Sequence, residues 1–118
     1  MGKKETVKYW IKSAKEDWEV AQHLYDKKDY AYALFFCHLT IEKIPPYTHS
    51  LVYLAEKTKL NLTEKQLELL EIITDFNIEA RYPDEKFLFK KKCTKEFTQK
   101  YKNETNELKK WLLQQIKL

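Results

Sequence analysis

Tyr30 to Leu54 reads YAYALFFCHLTIEKIPPYTHSLVYL, and this stretch decides the fold. Its first part is apolar on nearly every side of a helix. Glu42-Lys43 closes it, Pro45-Pro46 breaks it, and Thr48-His49 restarts a second amphipathic run. A short helix of that kind has no face suited to water, so other helices must enclose it. Ile44 precedes a proline and is steered out of the α region, while Pro45 and Pro46 cannot donate to the ladder. The second helix is therefore only about 15 residues long, opposite a first helix of about 22.

That first helix is expected from Glu5 to Asp26. Trp10, Ala14, Trp18 (with Ala21) and Tyr25 recur at helical spacing, with Lys12, Lys15, Glu16, Glu19 and Gln22 on the other face. Asp29, after Lys27-Lys28, is placed to cap the second helix. A third is expected from near Thr48, using Leu51, Leu54 and Ala55 and fading at Thr58-Lys59. Thr63 followed by Gln66 forms a capping-box signature for a fourth, which carries Leu67, Leu70, Ile73, Phe76, Ile78 and Ala80 and stops at Pro83. Tyr82 to Cys93 reads as a polar loop. A fifth helix then carries Phe97, Tyr101, Leu108, Leu112 and Ile116, with a polar stretch around Asn103-Asn106. The fold expected is a single all-α domain spanning 1–118, a mostly up-and-down bundle of about five helices. A single Gly and three Pro leave little material for hairpin turns.

Charge and cysteine usage narrow the function classes. The net charge is +4, and Lys alternates with Glu along the helices, as on a solvated surface rather than a dedicated nucleic-acid face. Cys37 and Cys93 have no C-x-x-C or Cys/His partner at metal spacing, which fits reduced thiols in the cytoplasm. No stretch approaches the ~18 to 20 apolar residues of a membrane span, and MGKKETVKYW lacks a signal-peptide core. Glu-x-x-His, H-E-x-x-H, Walker A and G-x-G-x-x-G patterns are missing, so neither metal nor cofactor is expected. Apolar neighbours argue against a nucleophilic Cys37.

Several motifs then occur in a fixed order. They are Trp10 and Trp18 with Asp17 beside it, Asp29-Tyr30 with Ala33, Glu42-Lys43, Pro46-Tyr47-Thr48-His49-Ser50-Leu51, and Ala80-Arg81-Tyr82-Pro83-Asp84. Together they resemble the HEPN domain, a small helical module of prokaryotes and some eukaryotic proteins, over almost the whole chain. The resemblance implies a bundle of four or five helices that usually dimerises. It also implies nucleotide binding, or the toxin role in a toxin–antitoxin pair, often beside a minimal nucleotidyltransferase.

The sequence departs from the family pattern twice. In similar sequences the second helix runs on for about a dozen residues, some three turns, past Glu-Lys. Here Lys43 meets Ile44-Pro45 directly, either through a real deletion or because a segment is missing from the chain as written. The mismatch in helix length favours the second, and an intact mass well above 14.4 kDa would show it. The nuclease branch resembles Arg followed by His some four to six residues later. Arg81 is the single Arg, and Tyr82 to Phe87 contain no His, so that chemistry does not carry over.

The candidate binding residues are Arg81, Tyr82, Lys43, Glu42 and His49, for a nucleotide, RNA or partner protein; none is assigned as catalytic. Arg81 offers a planar fork for a phosphate or carboxylate, or alternatively pairs with helix carbonyls or Asp84. Tyr82 could stack on a base or sit at the core edge. Lys43 could neutralise a phosphate, and Glu42 could tie the second helix to a neighbour; an ion pair fixing helix register is the competing role. His49 could donate to an anion or serve turn geometry. His38 reads as a satisfied core histidine and His23 as a surface one. Seventeen aromatics (3 Trp, 8 Tyr, 6 Phe) exceed what a small core needs, and Tyr30, Tyr32, Phe35, Tyr47, Tyr53 and Trp111 are the expected interface rings. A homodimer is expected. The favoured function is a non-catalytic partner or nucleotide-binding module. The alternatives are a metal-independent RNase in which His38 or His49 replaces the missing histidine, and a purely structural interaction protein.

Overall fold

The apolar run from Tyr30 determines the architecture. In the computed structural model of the chain, which describes residues 3–44 and 62–115, no residue from Tyr30 to Ile44 is exposed. The described helices are α1 (Lys3–Asp26), α2 (Tyr30–Glu42), α3 (Glu64–Arg81), α4 (Pro83–Lys92) and α5 (Lys95–Gln115). Among them α2 is the shared partner, packing against each of the other four. The described residues contain helices and no strand, an all-α bundle. The expected third helix at Thr48–Lys59, with Tyr47, His49 and Tyr53, lies outside the described residues, as does Ile116.

α1 reaches α2 through small residues. Ala14 and Ala21 are fully buried and let the two backbones approach, while Trp10, Trp18 and Tyr25 flank the contact half-buried. The connection uses Lys28 in the left-handed region (φ 66), and the Asp29 amide donates to the Leu24 carbonyl at 2.8 Å. Asp29 occupies the N-cap position of α2 as expected, but its side chain makes no capping hydrogen bond. α5 closes over α1 with two lysines, Lys109 lying 4.5 Å from the Trp18 ring and Lys102 4.1 Å from that of Tyr25.

The capping box on α3 is present in both directions. The Gln66 amide donates to Thr63 Oγ1 at 3.1 Å, and the Thr63 amide donates to Gln66 Oε1 at 2.9 Å. α3 ends at Arg81, as the following proline requires.

The polar loop expected from Tyr82 to Cys93 is instead a helix. Pro83 stands at the start of α4, where a missing amide costs nothing, so it ends one helix and opens another. Phe89 anchors the new helix: it is 1% exposed and lies 5.5 Å from the Phe76 ring, which also meets Tyr101 at 5.6 Å. The lysines around Phe89 hid it from a reading based on polarity.

Candidate functional site

Arg81 and Tyr82 stand at the C-terminal end of α3, where the chain turns into α4, and both are exposed. The Arg81 guanidinium lies over the half-buried Phe35 ring of α2, 5.5 Å from its centroid. A guanidinium over an aromatic face keeps its N–H donors available for other partners. On the same ring, His38 stacks at 6.4 Å with an interplanar angle of 27°. Phe35 therefore carries both the guanidinium and an imidazole, a grouping that no spacing in the sequence announces.

His38 is enclosed, with 2% exposure. Its Nδ1 has no hydrogen-bond partner among the described residues, and Glu42, one turn further along α2, comes only to 3.8 Å. The expectation of a core histidine holds; the expectation that it is satisfied does not. Burial holds the His38 imidazole below its ordinary pKa, Glu42 opposes that shift, and the charge of Arg81 adds to it. The imidazole is thus neutral near pH 7.

Lys43 ties α2 to α1. Its Nζ lies 2.6 Å from Asp17 Oδ2 and donates to Ser13 Oγ at 2.9 Å. Two motif residues, Asp17 from the first motif and Lys43 from the third, thereby meet each other. The Lys43 and Asp17 side chains are 25% and 16% exposed, so this is a half-buried bolt between helices. Sequence reasoning proposed a register-fixing ion pair but did not identify its acid, which lies on the preceding helix.

A groove of about 710 Å³ lies elsewhere, between α3 and α5. Leu69, Ile72, Tyr101 and Trp111 line it, and none of Arg81, Tyr82, Lys43 or Glu42 does. Both thiols are buried. Burial, opposed by the Thr105 hydroxyl and by Lys102 and Lys109, pushes Cys37 up to about 12. Burial and Glu79 together push Cys93 up to about 12. Neither is a nucleophile at neutral pH. Among the described residues, no group of three or more His, Cys, Asp or Glu could hold a metal ion, and no helix is long and apolar enough to cross a membrane.

The family comparison agrees with the geometry. The HEPN domain model matches residues 7–116, from the second turn of α1 to just past the last described residue of α5. No curated protein and no solved structure matches the chain. With the motif pairs Asp17–Lys43 and Arg81-Tyr82 placed on an all-α bundle built around α2, the chain belongs to the HEPN domain family.

Proposed function

We propose that the protein is a non-catalytic HEPN module that dimerises, binds the phosphate of a nucleotide at the Arg81–Tyr82 corner, and engages a minimal nucleotidyltransferase partner in the cytoplasm, as in toxin–antitoxin-like pairs. The observation that carries this reading is the exposed guanidinium and phenol side by side, with the nearest described imidazole neutral and enclosed. Arg81 supplies a bidentate phosphate grip, and Tyr82, 59% exposed, supplies a face for a base. Proton transfer to an RNA 2′-oxygen needs a group within about 3 Å of the reacting atom, and an imidazole under Phe35 is shielded from one.

Calorimetric titration with ATP, GTP and a short RNA tests the binding part. Heat with at least one of them that vanishes in Arg81→Ala is expected. No heat from any of the three would leave only the partner role, which co-purification with a nucleotidyltransferase encoded in the neighbouring reading frame tests separately.

The second reading, a metal-independent RNase, has one observation in its favour: the charge of Arg81 is felt at His38 across Phe35. It requires opening of α2 or α3 to expose the imidazole. Its signature is RNA cleavage in the presence of EDTA that is lost in both Arg81→Ala and His38→Ala.

A further inference from the structure

A cavity of about 470 Å³ lies where the connection between α1 and α2 meets the end of α4. Three lysines line it, Lys27 and Lys28 from the connection and Lys90 from α4, against a single carboxylate, that of Asp29. The last three lysines of α4 have different surroundings. Lys91 lies 4.6 Å from the Phe87 ring, and Lys92 turns back to Glu79 at 3.8 Å. Lys90 has neither an ion pair nor a ring beneath it among the described residues, and the same holds for Lys27 and Lys28. Three ammoniums against one carboxylate leave the cavity short of two negative charges.

Its wall also carries donors that lack acceptors. The thiol of Cys93, which lines the cavity, is 6% exposed and has no hydrogen-bond partner among the described residues. Burial and Glu79 keep it protonated at neutral pH, so it presents an S–H donor and not a repelling thiolate. Tyr30 and Ala31 open α2 at the same place. The Asp29 side chain does not cap them, and their amides meet no acceptor among the described residues, although Ala31 is buried. A buried donor left without an acceptor is costly, so this wall favours an occupant rich in acceptor oxygens.

A phosphate monoester brings three acceptor oxygens and a charge of about −2 at pH 7, which matches both the donors and the missing charge. An internal phosphodiester of RNA brings only one negative charge. We propose that this cavity binds a terminal phosphate, with Lys27, Lys28 and Lys90 around the dianion and the Tyr30 and Ala31 amides donating to its oxygens. The site is separate from the Arg81–Tyr82 corner, because α4 puts about 10 Å of helix between Pro83 and Lys90. The two sites stand or fall independently.

The test follows the Tyr30 and Ala31 amide resonances of the full chain during titration with inorganic phosphate, glycerol phosphate, and a short RNA bearing either a 5′-phosphate or a 5′-hydroxyl. Saturable shifts of both amides with inorganic phosphate are expected in wild type and equally in Arg81→Ala. Lys28→Gln and Lys90→Gln, with unchanged circular dichroism, each weaken that binding by ~10-fold or more. Shifts with the 5′-phosphorylated RNA identify a nucleic-acid end as a source of the phosphate, and shifts with glycerol phosphate alone identify a free metabolite. In both cases the 5′-hydroxyl RNA leaves the two resonances in place. Three results overturn the proposal. They are no shift with phosphate up to about 10 mM, where a site of 1 mM affinity is nine-tenths filled, binding that survives both lysine substitutions unchanged, and equal shifts from the 5′-hydroxyl RNA.

Discussion

Replacing Lys43 with Met keeps the aliphatic stem and removes only the ammonium. Asp17 then loses its counter-charge while 84% of its side chain remains shielded, given its 16% exposure, and Ser13 loses its donor. Removing one member of a fully buried pair costs ~3–5 kcal/mol. A charge-assisted hydrogen bond alone contributes ~1.5–3 kcal/mol. With a quarter of Lys43 open to water, the lower range governs, so the loss expected is ~2–3 kcal/mol. For a chain of this size that corresponds to a fall in melting temperature of about 8–12 °C. Urea unfolding of wild type, Lys43→Met, Asp17→Leu and the double variant completes a cycle. The double variant is expected to recover more than half of the loss, because it leaves no buried charge unpaired. A change below ~0.5 kcal/mol in Lys43→Met would refute the bolt between α1 and α2 and return Lys43 to the surface.

Four further outcomes follow from the packing and the titrating groups. Phe76→Ala empties the junction of α3, α4 and α5 and lowers unfolding stability by ~3–5 kcal/mol in a urea titration. Thr63→Ala removes one arm of the capping box and costs ~1 kcal/mol by the same measurement. His38 has its folded pKa below the unfolded value, so its contribution is fully present above pH ~6.5 and is lost as pH falls from there through the folded pKa. Stability therefore rises with pH across that window by up to ~1.4 kcal/mol per unit, and His38→Gln, compared with wild type across pH 4–8, flattens the rise. With both thiols held near 12, Cys37 and Cys93 react with a water-soluble disulfide reagent at pH 7.5 only after denaturant is added; prompt reaction of the native protein contradicts their enclosure.

The parts of the fold legible in sequence are those encoded by local pattern. The all-round apolarity of α2, the Thr63–Gln66 box and the stop before Pro83 each depend on residues within a few positions of one another. α4 was not legible because Pro83 served two helices and Phe89 sits in a lysine-rich run. Thr98 and Thr105 were missed for a related reason: both are fully buried, yet they fall in a stretch whose composition reads as solvent-facing. In the site, Arg81 and Tyr82 stood out by residue type. Their setting did not, because the stacking of Arg81 and His38 on Phe35 joins two helices through a single ring. The Lys43–Asp17 bolt likewise joins residues whose motifs are individually weak and whose separation carries no period.

The proposed function requires the guanidinium of Arg81 to act without a proton-shuttling imidazole beside it in water. Incubation of the purified protein with end-labelled single-stranded RNA in EDTA tests this most directly. Intact RNA over hours at stoichiometric protein is the expected result, whereas cleavage that disappears in both Arg81→Ala and His38→Ala would show a catalytic pair and refute the non-catalytic reading.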